Sequence, residues 1–279
     1  MSFLSKSSQS ELPIRTAART GTWLAFAIAI AGTAAAMLTT SAPRNRIIPA
    51  VLITFCFAIS ARLLRAVTLS GAAAGFLVTA VLFIAAGPSM LGAVLAVFVL
   101  TFGATRFGKR QKRSWIVAEQ SRGRDAAQVL ANIGIAAMAS ALSQLTVRRT
   151  PLLAASVGVL AEAACDTVSS EMGKALSGTA RMITSWRLVP AGTNGAISVL
   201  GTLWGVSAAL IVAAEAVATR TLTPGAGVIV VVAGISGMLF DSLLGATLEQ
   251  RGSLTNNAVN LVSTMFAAVL AAIATWQFA

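Results

Sequence analysis

Long apolar runs separated by short polar punctuation dominate this chain, and most approach the roughly 17 to 25 residues that a helix needs to cross a bilayer. The runs predict spans at 21–40, 47–61, 67–86, 88–105, 126–145, 151–170, 194–218, 224–245 and 257–277. The second is the shortest. Pro43, Pro49, Pro88, Pro151, Pro190 and Pro224 stand near the boundaries, where helices stop or restart. Residues 1–20 are polar, Ser-rich and basic, a tail without an apolar face. Residues 21–279 are predicted to form one transmembrane helical domain, so the expected fold is an all-α, polytopic transmembrane helix bundle of about nine spans.

Composition agrees. Hydrophobic residues make up 56% of the chain and charged residues 11%, with a mean hydropathy of +0.81, outside the range of ordinary soluble domains. The N-terminal region lacks a secretory signal pattern with a small-residue cleavage site, and the first apolar run is long enough to span, so it is expected to be retained. Lys and Arg number 21 against nine Asp and Glu. With the nine spans and the N-terminus inside, sixteen of the basic residues fall on the inner side and five on the outer. The excess charge is therefore read as cytoplasmic loops, not as a nucleic-acid surface. This topology also puts three polar stretches, 106–125, 171–194 and 245–257, on the cytoplasmic face.

The chain has no His and no Tyr, which excludes His-based triads, two-His metal sites and Tyr nucleophiles. Cys56 and Cys165 both lie in apolar runs and make no framework of their own. Chemistry is left to carboxylates, Lys, Arg, hydroxyls, amides and backbone N–H groups.

Asp241 ends an almost unbroken apolar run, where its charge is costly without a partner. Ser242 and Gly245 follow it, and Asn256, Asn257 and Asn260 stand just beyond, with Asn256 and Asn260 at i,i+4 spacing. In 158–173, Glu162, Asp166 and Ser170 stack on one helix face, with Glu171 off that face. Two carboxylates one turn apart repel, so a divalent cation or a basic partner is the economical explanation. Gly192, Thr193, Asn194 and Gly195 form a turn leading directly into the next apolar helix, and their N–H groups suit a phosphate. The spacing is not that of a Walker A loop. The basic run at 106–113 reads as a patch facing anionic lipid. Arg122 and Arg124 differ, because they enter a span carrying Gln128 and Asn132 one turn apart, an arrangement able to reach a phosphate at the headgroup level.

Three stretches together, 123–132, 165–173 with 192–195, and 241–250 with 257–260, resemble the integral membrane family that contains transmembrane protein 19 and the phytyl phosphate kinases. The resemblance covers residues 100–279. It implies phosphorylation of a prenyl monophosphate to the diphosphate by a nucleoside triphosphate, with CTP the donor in related polyprenol kinases. Physics supplies the same reading independently. A prenyl tail lies between apolar helices while its phosphate reaches acids, arginine and backbone donors at the membrane surface. Asp166 and Asp241, on different helices, are expected to converge on one Mg²⁺, which typically takes one or two protein carboxylates. The active face is expected to be cytoplasmic. The rival class is an ion- or proton-coupled transporter or flippase, with Glu162 and Asp166 as a relay. Against it, only Glu162 and Glu215 lie deep, and no internal repeat is visible.

Overall fold

The computed structural model describes residues 26, 28–36, 38–39, 44–108 and 123–277. The tail at 1–20, the first basic cluster (Lys109, Arg110, Lys112, Arg113) and Arg122 lie outside the described residues. Within the first expected span, residues 28–36 are helical, and Ile30 is buried close to Gly134.

Eight further helices follow the apolar runs: α1 (Ile47–Leu63, led in by a 3-10 turn), α2 (Leu69–Ala86), α3 (Pro88–Arg106), α4 (Ala126–Ser143), α5 (Arg149–Leu176), α6 (Val199–Ala218), α7 (Pro224–Leu244) and α8 (Asn256–Trp276). All eight are long and apolar enough to cross a membrane. The protein is an all-α polytopic bundle. The one addition is a small antiparallel sheet, ordered β2-β1-β3, from β1 (Thr179–Met182), β2 (Leu188–Pro190) and β3 (Ala196–Ile197).

Local chemistry sets the helix ends. Thr68, Ser198, Thr223 and Thr255 each accept a backbone N–H from the first turn of the helix they precede. Asp125 and Gln128 form a reciprocal capping box at the start of α4. Pro88 and Pro224 sit in the first turns of α3 and α7, where a missing N–H costs nothing.

α5 is the axis of the bundle. Within its most apolar stretch 72% of residues are buried, against 22% for α1, which faces outward. α5 packs against α3, α4, α6, α7 and α8. Its core stretch, Ala154 to Cys165, is mostly Ala, Gly, Ser and Val, so neighbouring backbones come close, as membrane helices do when small residues line the seam.

Three expected boundaries move. The span placed at 151–170 continues to Leu176, because 171–176 contains nothing that stops a helix and extends the bundle axis beyond the apolar stretch. The turn at 189–198 does not lead straight into a helix. Residues 179–197 pair as the sheet, and α6 begins only after the Ser198 cap. Past 245 the chain stays helical through a π-helical turn, Gly245–Glu249.

Consecutive spans bring the segments 64–68, 107–108, 123–125, 177–198 and 250–255 to one end of the bundle. Backbone bonds join two of them: Arg124 N–H donates to Ala66 O and Thr68 N–H to Arg124 O, both at 2.9 Å. At the other end Arg46 lies against Gly87 and Arg148 over the Trp276 ring.

Candidate functional site

The polar pocket at the loop-rich end is assembled from four elements. From α5 come Asp166, Ser169, Ser170, Gly173 and Lys174; from the sheet segment, Gly192, Thr193, Asn194 and Gly195 with their neighbours; from α7 and its π turn, Asp241, Ser242, Gly245 and Glu249; from α8, Asn256. Its volume is about 140 Å³. Of the residues expected from sequence, this pocket gathers Asp166, Asp241, Ser170, Gly192, Thr193, Asn194, Gly195, Ser242, Gly245 and Asn256.

The glycine turn is pressed onto α7. Gly195 has φ +75°, and a Cβ there would overlap Ala246, while Gln250 Nε2 donates to Asn194 O at 2.8 Å. Only glycine meets both demands at 195. The contact holds the turn against the helix end that carries Asp241, Ser242 and Gly245.

Beneath the pocket the acids interlock. Glu162 is fully buried and its Oε1 accepts from Ser263 Oγ at 2.7 Å. The same hydroxyl lies 3.2 Å from Asp241 Oδ2. A single hydroxyl proton serves one acceptor at a time, so Ser263 couples the two carboxyls. Asn260, with its amide oriented to satisfy both ends, donates to Asp241 Oδ2 at 3.2 Å and accepts from Asn132 Nδ2 at 3.3 Å. A hydrogen-bonded chain thus runs from α4 through α8 to both acids. Gly237 leaves the space that the Glu162 side chain occupies.

Glu171 turns away from the Glu162–Asp166 face, as expected, and is buried with Lys174 Nζ 3.4 Å from its Oε1. Lys174 also lines the pocket, the cation nearest to hand for its acids.

Arg124 stands apart from the pocket but within reach of its field. Burial pulls its guanidinium below the ordinary value, while the Glu171 and Asp166 carboxylates push it back. Among the described residues the guanidinium makes one hydrogen bond, to Thr101 Oγ1 at 3.3 Å. Arg124, Gln128 and Asn132 line a second, apolar cavity between α1, α2, α3 and α4. Gln128 spends its Oε1 on the helix cap. Asn257, in the first turn of α8, lines neither cavity.

Three participants are not singled out by sequence reasoning. Lys174 is two turns beyond Asp166 on α5, visible only once the helix is known to continue. Ser263 follows Asn260 by three residues on the same face, a spacing that could have pointed to it. Glu249 reaches the pocket through the π turn, which no sequence period announces. Glu215, the other deep acid, sits in the last turn of α6 at the opposite end of the bundle.

Among the described residues no group of three or more Asp, Glu, Cys or His is placed to hold a metal ion. Two carboxylates, Asp166 and Asp241, do face one pocket, and two suffice for an ion that completes its coordination with water and phosphate oxygens. The donor set fits Mg²⁺.

Comparison with known proteins places the chain. Residues 52–268 match the family described as integral membrane protein DUF92. The chain is 30% identical to Protein VTE6, chloroplastic, of Arabidopsis thaliana over 75% of its length and 65% of that protein's, so it spans just under two thirds of this relative. It is 31% identical to the uncharacterized membrane protein sll0875 of Synechocystis over 64% of its length and 70% of that protein's. With Protein PGR of Arabidopsis thaliana it shares 30% identity over 84% of this chain and 98% of the relative. No solved structure matches. The match to the family model runs from α1 into α8 and takes in both acids and the amides that join them, so the chain belongs to the DUF92 integral membrane family.

Proposed function

We propose that this protein is a membrane-embedded kinase that converts a prenyl, phytyl-like monophosphate to the diphosphate with a nucleoside triphosphate, CTP by preference. The observation that carries the reading is the pocket itself. Three carboxylates, Asp166 from α5 and Asp241 and Glu249 from α7 and its π turn, one lysine and a glycine turn face a common space at the end of an apolar bundle.

Phosphoryl transfer needs little covalent help from a protein; it needs positioning and charge neutralisation. An oxygen of the prenyl monophosphate attacks the terminal phosphorus of the donor. The new P–O bond forms as the bond to the bridging oxygen breaks, and the nucleoside diphosphate leaves. Asp166 and Asp241 would hold Mg²⁺, which supplies charge neutralisation on the donor phosphates when bound. Lys174 faces the same oxygens, and the N–H groups of Gly192, Asn194 and Gly195 offer neutral donors, that of Thr193 being bonded to Pro190 O. Ser263 and Asn260 fix the Asp241 carboxyl so that its free edge points to the pocket.

The active face is cytoplasmic in this reading, because the basic loops share the end that holds the pocket. The direct test is purified protein incubated with labelled CTP or ATP and geranyl, farnesyl and phytyl monophosphates. Absence of labelled diphosphate with every pair refutes the activity. Sidedness is tested separately in a variant lacking Cys56 and Cys165: Ser253→Cys should label only from the cytoplasm and Thr221→Cys only from outside.

A further inference from the structure

We infer that the apolar cavity between α1, α2, α3 and α4 is the slot that receives the isoprenoid tail of the phosphorylated substrate, with Arg124 at its mouth gripping the phosphate. The inference rests on the kinase reading for the identity of the head group, and on the cavity for the rest.

The cavity is a separate space of about 90 Å³ lined mostly by Ala, Val, Ile, Phe and Gly, with Thr79, Thr101, Gln128, Asn132 and Arg124 as its polar members. It begins at the loop-rich end, where Arg124 and Thr101 stand, and runs down α2 from Gly71 to Thr79. Those eight steps cover about 12 Å at 1.5 Å per residue, which carries the slot to the middle of the bundle. Its apolar depth excludes a nucleotide or a sugar and suits a hydrocarbon.

The mouth is built to hold an anion. Arg124 is fixed by its backbone: its N–H and carbonyl bond to Ala66 and Thr68, and a Cβ at Gly71 would overlap its carbonyl oxygen. The residue is thus rooted at one place on the rim, and its side chain bonds Thr101 Oγ1 with most of its donors unspent among the described residues. A half-buried guanidinium, anchored through its backbone and with donors unspent among the described residues, at the top of a hydrocarbon slot matches one kind of ligand, a long apolar chain ending in a phosphate.

The slot also adjoins the elements that carry the right chemistry. Ala163 of α5 forms part of its wall, one turn before Asp166, which lines the polar pocket. Asn132 belongs to the slot and hydrogen-bonds to Asn260, which holds Asp241. A phosphate at Arg124 would thus lie on the side of the slot where α5 and the amide chain lead toward Asp166 and Asp241.

Gly75 gives a clean handle. It lines the slot, and a Cβ built there meets nothing within 4 Å, so a side chain rooted there starts in open space and takes up room in the slot. Gly103 has equally open surroundings but is exposed and lines neither cavity. It is the control.

The test is photo-crosslinking in proteoliposomes with a prenyl monophosphate carrying a diazirine on its tail, with adducts mapped by mass spectrometry. Adducts are expected on slot residues such as Phe57, Val94, Phe98 and Ile133. Gly75→Phe and Gly75→Leu should each cut the yield at least tenfold, and Gly103→Leu should leave it near wild type. The wild-type map requires no variant to fold. Adducts confined to bilayer-facing or unrelated positions overturn the proposal, as does an undiminished yield in both Gly75 variants. Displacement of the probe by phosphatidic acid but not by unlabelled prenyl phosphate overturns it too, since the slot would then take a phospholipid chain. Phosphoryl transfer is assayed on the same preparations. Slot adducts without transfer sink the kinase reading and keep the slot; transfer with adducts elsewhere sinks the slot and keeps the kinase.

Discussion

Two cavities lie toward one end of this bundle, and they are built on opposite plans. The polar pocket is walled by side chains that hold one another: Asp241 is fixed by Ser263 and Asn260, Glu171 pairs with Lys174, and the glycine turn is pinned to α7. The apolar slot is walled mainly by small, aliphatic and aromatic residues whose side chains make no polar contact, and its polar side chains, Thr79, Thr101, Arg124, Gln128 and Asn132, are the exceptions. Buried charges are tolerated in a membrane protein when each has a partner, and the network around Asp241 supplies them. Apolar walls need no such network, so the slot can stay open. The lesson is that rigidity is concentrated where charge must be placed, and free space is kept where only hydrocarbon has to fit.

The contrast breaks most sharply if the acids are replaced. Asp166→Asn or Asp241→Asn keeps size and hydrogen bonding while removing charge, and transfer should fall by about 100- to 1,000-fold, the loss typical when one charge-stabilising group is removed. Both variants should still run as monodisperse folded protein on size exclusion. Near wild-type turnover at limiting Mg²⁺ would put the phosphoryl site elsewhere, and misfolding of both would make the acids structural.

The next effect belongs to the rim. Arg124→Ala removes one or two charge-assisted hydrogen bonds worth about 1.5–3 kcal/mol each, so KM for the prenyl phosphate should rise about tenfold or more with KM for the nucleotide little changed. A rise confined to the nucleotide would assign Arg124 to the polar pocket and erase the division between the cavities. Arg124→Lys should recover part of the loss, because charge is kept and the fork is not.

Smaller still is the effect of Ser263→Ala. It deprives two buried carboxyls of their shared donor, and thermal unfolding in detergent should show a loss of about 1–3 kcal/mol. Turnover should drop as well, since Asp241 loses its anchor. A variant as stable as wild type would show that the interlock is not what holds the acids.

The smallest concerns Asp125, which lies at the same end but outside both cavities. Asp125→Ala removes one half of a capping box and should cost about 1 kcal/mol in stability while prenyl phosphate KM shifts by less than Arg124→Ala shifts it. An equal KM change would mean that the cap positions the arginine beside it.

Much of this architecture is legible in the order of residues alone. Apolar run length sets where helices cross, because every backbone group in the hydrocarbon must be satisfied within the helix. That rule recovers all eight described spans, including the shortest, seen as Ile47–Leu63. The i,i+4 rule puts Glu162 and Asp166 on one face, and the isolated position of Asp241 marks it out. Those features depend on spacing within one helix, which the order of residues determines.

What spacing cannot determine is which helices touch. Ser263 and Glu162 are 101 residues apart, and Asn260 and Asn132 are 128 apart; their bonds exist because α8 packs against both α5 and α4. The π turn that brings Glu249 to the pocket, the sheet that carries the glycine turn, and the division of Arg124, Gln128 and Asn132 into a cavity of their own are of the same kind. Hydropathy ranks residues by how well hydrocarbon solvates them. It says nothing about the close approach of small residues that selects one packing from many, and that choice belongs to the tertiary structure alone.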